Sequence, residues 1–195
     1  MLMLSSRLKD SSVMSLQTGG CIAQVTKAII NPATLDIVAY RLSGKGLESE
    51  DLLLLTRDIR EIGNLGLIVD SADELVATSD MIKLKDIIKL GFNLLNMPVI
   101  DDDKNKLGRI YDYTIDPMDF KIHQIYVKRP LIRSLQTSDL IINKSQIIEV
   151  NNTHIIVNSA SLDEKAKPAS IAEGFVNPFR KPSAPPAGSN TIKNG

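Results

Sequence analysis

One segment of the sequence occurs twice, and this repeat limits the possible folds more than any other feature. The two copies cover residues 22–42 and 107–127. Pro32 of the first copy corresponds to Pro117 of the second, 85 positions further along, and the copies align without a gap. In each copy, apolar stretches flank a short polar turn, which is typical of two strands joined as a hairpin. We therefore expect the chain to contain the same β-hairpin twice.

The turn of each predicted hairpin has a physical cause. Asn31 precedes Pro32 in the first copy, and Asp116 precedes Pro117 in the second. An Asn or Asp side chain can accept a hydrogen bond from the backbone two residues further on, and proline fixes φ at the next turn position. This turn chemistry favours a reversal of the chain at the same place in both copies.

A second block of sequence repeats in the same order, so the duplicated unit is longer than a hairpin. Residues 59–72 match residues 147–160, now 88 positions apart, which makes the preceding loop three residues longer in the second copy. A repeat of this length predicts two domains rather than a solenoid. We expect a first domain over residues 11–78 and a second over residues 79–161, which includes a leading helix or linker.

The composition favours strands built on aliphatic residues. The chain has 195 residues, of which 43% are hydrophobic, with no tryptophan and only four tyrosines and four phenylalanines. The interior must therefore consist mainly of Ile, Leu and Val, and β-branched residues favour strands. The length leaves room for one or two small domains.

Charge and cysteine content bear on the class of protein. The formal net charge is zero, which gives no general attraction to nucleic acid or to an anionic membrane. Cys21 is the only cysteine, so the chain fits a reducing compartment. No apolar run approaches the roughly 18 residues that span a bilayer, and residues 1–4 are too short for a signal-peptide core. We expect a soluble, cytoplasmic protein without membrane insertion.

The segment between the copies predicts a short helix. Ser79 or Asp80 can cap its start, apolar residues recur on one side, and Gly91 would end it. A strand over residues 81–84 followed by one helical turn is the alternative. In both cases this segment couples the two halves of the chain.

The composition changes at about residue 162. Lys, Ala, Pro, Ser and Gly dominate residues 162–195, and such a stretch cannot bury enough apolar surface to offset its ordering entropy. We expect a disordered tail that contains one short apolar motif, residues 175–179. Its Phe175 and Phe179 could dock on a partner protein, fold back on the chain's own domains or have no binding role.

The strand order and one motif resemble the PRC-barrel family. The second copy has the family's pattern of Gly, a basic residue, an aliphatic residue, a first Asp and a final Ile-Asp-Pro over residues 108–117. The first copy departs from it at Ala23, Lys27 and Asn31. The resemblance covers roughly residues 13–160, and its motif combines turn chemistry with apolar alternation.

The resemblance implies an all-β fold: two tandem small PRC-type β-barrels with a short connecting helix and a disordered C-terminal tail. Members of the family include the cytoplasmic part of the photosynthetic reaction-centre H subunit and the C-terminal domain of a bacterial ribosome maturation factor. Their common role is protein interaction, and the family supplies no catalytic residues to carry over.

The acidic run before the second repeat resembles a calcium-binding loop only in part. Asp101, Asp103 and Asn105 have the spacing of calcium ligands, and Asp112 falls at the twelfth position. However, Lys106 stands where the loop needs Gly, and predicted strands over residues 94–100 and 107–114 flank the run instead of helices. A solvated hairpin turn is the better interpretation, so we expect no metal there.

The remaining polar residues do not form a recognisable catalytic group. His123 and His154 have no second ligand nearby in sequence, and Cys21 has no neighbouring histidine. The sequence therefore predicts no catalytic residue, no metal site and no cofactor.

Basic residues after the second hairpin form a candidate docking patch. Lys128, Arg129 and Arg133 surround a short apolar stretch, whereas the matching region of the first copy has only Arg41 and Lys45. A solvated loop is the alternative, since short charge runs are common on surfaces.

These features predict a non-catalytic cytoplasmic adaptor or scaffold that binds a protein partner or complex. The partner-binding residues would be Lys128, Arg129, Arg133, Phe175 and Phe179. An RNA or ribosome assembly factor is the alternative, in which the partner is a ribosomal or RNA-protein particle. An enzyme or small-molecule sensor that uses a cleft between the barrels is a third class.

Overall fold

A computed structural model describes residues 2–44, 51–129 and 139–159, and all of them lie in one compact unit, Met1–Asp163. The predicted tail, with Phe175 and Phe179, falls outside the described residues, as does Arg133. The described part is mostly β-sheet with one α-helix, as the all-β prediction requires. None of its helices is long and apolar enough to cross a bilayer.

The described residues build two sheets of seven strands each. The first strand along the chain, β1 (Met3–Leu4), belongs to the second sheet. The first sheet contains β2 (Ser12–Ser15), β3 (Cys21–Asn31), β4 (Asp36–Ser43), β5 (Leu52–Leu55), β6 (Glu61–Gly63), β7 (Gly66–Val69) and β8 (Leu75–Ala77). Its strand order is β6-β7-β2-β3-β4-β5-β8.

The second sheet follows the only α-helix of the described residues, α1 (Ile82–Lys89). It contains β9 (Pro98–Asp101), β10 (Lys106–Ile115), β11 (Ile122–Lys128), β12 (Leu140–Asn143), β13 (Ile147–Val150) and β14 (Ile155–Val157). Its strand order is β12-β11-β10-β9-β14-β13, and β1 pairs with β10.

The two sheets have the same order of corresponding strands. Each sheet has one parallel pair of strands, which is β2 with β7 in the first sheet and β9 with β14 in the second. The other pairs are antiparallel. Within the described residues, no strand pairing joins the edge strands β6 and β8, or β12 and β13, so hydrogen bonding leaves both sheets open.

Both predicted hairpins are present, and their turns are made as the sequence predicts. The β3–β4 turn is closed by the Asn31 side chain, whose Oδ1 accepts the backbone N–H of Ala33 at 3.1 Å. In the β10–β11 turn, Asp116 Oδ1 accepts the N–H of Met118 at 2.9 Å. The Asx-Pro signature therefore has the same structural effect in both copies.

The two hairpins are hydrogen-bonded to each other in a reciprocal way. The N–H of Ile37 donates to the carbonyl of Phe120 at 3.0 Å, and the N–H of Ile122 donates to the carbonyl of Leu35 at 3.1 Å. Leu35 and Phe120 both have left-handed backbones, with φ of 55° and 56°. Phe120 is the counterpart of Leu35 in the repeat, and Ile122 is the counterpart of Ile37. The same contact is therefore made twice, once in each direction between the two sheets.

A single apolar cluster contains buried residues from both sheets. It includes Val13 and Leu67 of the first sheet and Ile110 and Ile125 of the second, all with no exposed surface. The predicted aliphatic interior is present, and it is shared by the two predicted domains.

A second, smaller cluster lies under α1. Ile29, Ala39, Leu53 and Leu55 of the first sheet are buried there, and Ile87 and other apolar residues of the helix segment pack against them. This burial explains why the segment is helical, because its apolar residues recur on one side.

The ends of the helix differ in part from the prediction. The predicted cap at Ser79 or Asp80 is wrong: Thr78–Asp80 form a 3₁₀ turn, and Met81 begins the helix without a side-chain cap. The alternative strand over residues 81–84 is wrong as well. Gly91 follows the helix with φ of 60°, the left-handed conformation expected beyond a helix end.

Candidate docking groove

The structure places the first two residues of the predicted basic patch at the end of β11. Lys128 is the last residue of the strand and Arg129 follows it, and both side chains are exposed. Arg133, the third member, lies outside the described residues. The described residues around Lys128 and Arg129 therefore decide what this surface can bind.

A groove of about 640 Å³ adjoins these two residues. Its apolar lining comes from β9 and β10, with Val99 and Ile110 fully buried beneath the surface and Pro98 and Ile100 half-buried. An apolar concave surface of this kind can accept a side chain of a ligand or partner.

Four basic residues line the same groove, namely Lys106, Arg109, Lys128 and Arg129. All four are exposed, and no acidic residue is among the described residues of the lining. The ion pairs of the described chain all lie elsewhere and leave these four cations out. The groove thus combines an apolar floor with four cations that form no ion pair with a described residue, which is complementary to an acidic partner.

Strand register brings Arg109 to this place. Arg109 pairs with Lys128 across β10 and β11, and with Pro98 across β10 and β9. Its Nη1 donates to the carbonyl of Asn96 at 2.9 Å, which holds the guanidinium at the groove. An arginine has five N–H donors, so the others remain to bind an anionic group.

Gly108 allows β10 and β11 to come close at this end of the sheet. Its φ is 150°, and a Cβ on it would lie 2.2 Å from the carbonyl oxygen of Lys128. No real side chain tolerates such an approach to backbone. Position 108 therefore requires glycine, and the close approach of the two strands there brings Lys128 beside the groove.

An exposed tyrosine borders the basic residues. Tyr111 is 45% exposed and packs edge-on against Tyr126, with ring centroids 6.1 Å apart. Its hydroxyl donates to Asp139 Oδ2 at 2.9 Å. Partial burial and the hydrogen bond to Asp139 raise the pKa of Tyr111 to about 12, so it is neutral at physiological pH. Tyr113, by contrast, is buried.

The partial calcium pattern is a turn. Asp101 is buried, and its two carboxylate oxygens accept the backbone N–H of Asn105 at 2.7 Å and its side-chain amide at 2.9 Å. Asp112, the fourth residue of the pattern, bonds instead to Ser5. The predicted hairpin turn is correct, although Asp101 is less solvated than the sequence suggests.

A second group of polar residues meets at the β10–β11 turn. Potential ligand atoms of Asp116, Asp119 and His123 lie within 4.8 Å of one another. However, Lys121 Nζ is 2.8 Å from Asp119 Oδ2, and this contact is the main reason that the pKa of Asp119 is lowered. The turn itself accounts for the arrangement, since the backbone of Met118 and Lys121 bonds to the two carboxylates.

The sequence interpretation missed Lys106 and Arg109. Counting six residues along each strand from the Ile115–Ile122 pair reaches Arg109 opposite Lys128, but only because two register shifts between these pairs cancel, so the sequence alone did not place Arg109. Lys106 could not be placed in this way, because a register shift separates its pairing with β9 from that of Gly108.

No protein-family model matches the chain, and no curated protein matches it either. Membership of the PRC-barrel family therefore stays a prediction from the sequence, made from the motif at residues 108–117 and the predicted order of the strands.

Proposed function

We propose that this protein is a non-catalytic adaptor that binds an acidic segment of a partner protein in the groove beside β9, β10 and β11. The observation that carries the proposal is the groove with four basic residues over an apolar floor. An acidic peptide with one apolar side chain would fill the floor and pair with the surrounding cations. Charges at the edge of such a site mainly speed association and select partners.

We further propose that the chain arose by duplication of a PRC-type unit and that each sheet represents one such barrel. The equal strand order, the hairpins 85 positions apart and the reciprocal bonds between Leu35 and Ile122 and between Phe120 and Ile37 support this origin. On this proposal the second copy, which keeps the full motif, is the one that docks partners.

Site-specific cross-linking tests the adaptor role. A photoreactive amino acid at Ile100, in the groove, should capture a partner peptide in the native cell that contains several acidic residues beside an apolar one. The matched control carries the same group at Leu65, which is 71% exposed on the first sheet. Capture of the same peptides from both positions would contradict a docking site in the groove.

Charge reversal tests the groove directly. The double change Lys128→Glu and Arg129→Glu should weaken binding of the captured peptide by about tenfold or more, because charge-assisted hydrogen bonds contribute about 1.5–3 kcal/mol each. Lys89→Glu, on the exposed end of α1, is the matched control and should leave binding unchanged. Equal binding by all three proteins would remove the groove from the proposal.

An RNA or ribosome assembly role is the second candidate, favoured by one observation. Tyr111 is exposed beside four cations, and bases stack on such rings while cations contact phosphates. This candidate predicts copurification with ribosomal particles that is removed by salt and weakened by Tyr111→Ala. An acidic peptide and an RNA would bind the same cations. RNase treatment of the cross-linked sample separates the two candidates, because it removes a captured RNA and leaves a captured peptide.

A further inference from the structure

A second cavity lies between the two sheets and is not used by the proposed adaptor role. Its volume is about 470 Å³, and β3 of the first sheet and β10 of the second both line it. The segments before each repeat contribute Ser5, Ser6, Leu8 and Lys9 and residues 93–96, and Tyr40 of β4 completes the lining. Corresponding parts of the two copies thus face the same space.

A buried carboxylate lines this cavity from the second sheet. Asp112 is only 7% exposed. Its Oδ1 accepts three hydrogen bonds, from Ser5 Oγ at 2.6 Å, from the backbone N–H of Tyr113 at 2.8 Å and from that of Ser6 at 3.3 Å. Its Oδ2 accepts none from the described residues. A buried carboxylate is stable when its charge is paired, so a positively charged donor at Oδ2 would be favoured.

Aromatic residues line the same cavity as this carboxylate. Three of the chain's four tyrosines, Tyr40, Tyr111 and Tyr113, line the cavity. Tyr40 is 2% exposed, and its buried hydroxyl has no hydrogen-bond partner within the described residues. Burial, with a smaller contribution from Tyr113, raises the pKa of Tyr40 well above its usual value, so the group is a neutral phenol. Phenol rings and a carboxylate together are favourable surroundings for an organic ammonium group.

Positive charge lines the same cavity from the first copy. Lys27 of β3 and Lys9 are exposed, and neither forms an ion pair with a described residue. Lys27 stands 85 positions before Asp112, at the corresponding place of the repeat. The departure of the first copy from the family's aspartate therefore puts opposite charges on the two sheets around one space.

We propose that the cavity binds a small zwitterion whose ammonium group pairs with Asp112 and whose carboxylate pairs with Lys27 and Lys9. Apolar side chains of Leu8, Ile30 and Leu94 line the space as well, so the two charges of the ligand would be joined by a short aliphatic chain. A ligand with two positive charges is disfavoured by the lysines, and one with two negative charges is disfavoured by Asp112.

Three matched probes test this assignment by NMR titration of the full-length protein. 6-Aminohexanoate carries both charges, hexylamine only the positive one and hexanoate only the negative one. We expect 6-aminohexanoate to bind at least tenfold more tightly than either single-charge probe. The backbone amides of Ser6 and Tyr113, which bond to Asp112, should shift on binding. Equal affinity for the three probes, or no shift with any of them, would overturn the proposal.

Two variants separate the contributions of the charges. Asp112→Asn preserves the shape and the acceptor for Ser5, and it should reduce binding of 6-aminohexanoate by about tenfold or more, since one charge-assisted hydrogen bond is lost. Asp103→Asn, on an exposed turn away from the cavity, is the control. If Asp112→Asn binds as well as the control, the carboxylate is not the ammonium site.

Lys27→Ala keeps the test decisive if Asp112→Asn does not fold. Lys27 is exposed, so its replacement should not disturb folding. The variant should lose the preference for 6-aminohexanoate over hexylamine, while Lys89→Ala should retain it. An unchanged preference in Lys27→Ala would show that the anionic end of the ligand is not bound from the first sheet, against the proposal.

Discussion

The two sheets share a strand order but differ on the face that α1 covers. In the first sheet, Ile29, Ala39 and Leu55 are neighbours across three strands and are buried under the helix segment. The corresponding neighbours in the second sheet are polar, namely Thr114, Gln124 and Asn143. The helix thus decides the chemistry of this face. The residues of the first sheet are apolar where the helix packs on them. In the second sheet the corresponding polar residues bond to each other, with Gln124 Nε2 3.0 Å from Asn143 Oδ1.

The same comparison explains why the second sheet has the more distinctive surface. Its β10 and β11 approach closely at Gly108, whereas the first sheet has Ala23 at the corresponding position, buried to 2% exposure. The four cations of the groove lie on β10 and at the end of β11, on either side of this approach. Differences between the copies, rather than their shared pattern, therefore locate the candidate sites.

The largest expected effect concerns the contact between the hairpins. Phe120 packs edge-on against Tyr40 and is 6% exposed, and its counterpart Leu35 is 3% exposed. Phe120→Ala should lower the free energy of unfolding by about 3–5 kcal/mol and Leu35→Ala by about 2–5 kcal/mol, through lost burial and the cavity left behind. Urea denaturation measures both. Because the sheets share a core, each variant should still unfold in one transition, and two separate transitions would show that the sheets fold independently.

Gly108 gives the sharpest difference between the copies. Gly108→Ala should lower the free energy of unfolding by roughly 2–4 kcal/mol, because its Cβ would meet the Lys128 carbonyl and its φ is unsuitable for alanine. The reverse change at the corresponding site, Ala23→Gly, should cost only about 0.5–1 kcal/mol plus the lost methyl contacts. Equal losses in thermal and urea unfolding for the two variants would contradict the close contact between position 108 and the Lys128 carbonyl.

The Asx-Pro turns should show that the copies are equivalent where their sequences agree. Asn31→Ala and Asp116→Ala each remove one hydrogen bond to the turn backbone. Each should lower the free energy of unfolding by roughly 0.5–1.5 kcal/mol, with the larger loss for the charged Asp116. Urea denaturation of the pair, against Asp103→Ala as an exposed control, is the measurement. A loss in only one copy would contradict the equal role of the two turns.

The smallest expected effect is a pH response confined to the second sheet. In the second sheet, Asp102 Oδ1 accepts the backbone N–H of Ser159, which follows β14, at 3.0 Å. In the first sheet, the segment after β7 is held by a backbone bond instead, from the N–H of Gln17 to the carbonyl of Asp70 at 3.0 Å. Ser159 lowers the pKa of Asp102 below the usual 3.8. The contact is therefore complete above pH 3.8 and is lost as the pH falls through the lowered pKa.

NMR titration checks this response. The amide of Ser159 should shift with a midpoint below pH 3.8, and Asp102→Asn should abolish that midpoint. The amide of Gln17 should not follow the same transition, since its acceptor is a backbone carbonyl. A midpoint at or above pH 3.8 for Ser159 would contradict the assigned contact.

Local features could be predicted from the sequence, because their causes are local. The hairpins follow from apolar alternation and from the Asx-Pro turns. The predicted strand over residues 94–100 begins only at Pro98, because Asn96 has a left-handed backbone with φ of 66°. Asn is one of the few non-glycine residues that adopt this conformation readily, but the residue type does not require it.

The sites depend on contacts between distant residues, which the sequence pattern does not reveal. Asp112 could not be read as a buried anchor, because Ser5, its partner, lies 107 positions away. The groove needs β9, β10 and β11 side by side, and irregular pairing in β10 shifts its register twice against β11. Only Lys128 and Arg129 of the predicted site could be placed, since Lys128 ends a strand that the turn chemistry predicted and Arg129 follows it.

The reciprocal bonds between Leu35 and Ile122 and between Phe120 and Ile37 have a consequence for assembly. Both partners belong to one chain, so their encounter does not depend on protein concentration, as it would for two separate subunits. The same donors and acceptors would also suit the hairpins of a second molecule. Extended storage at high concentration is therefore the condition under which exchanged dimers of this chain would form.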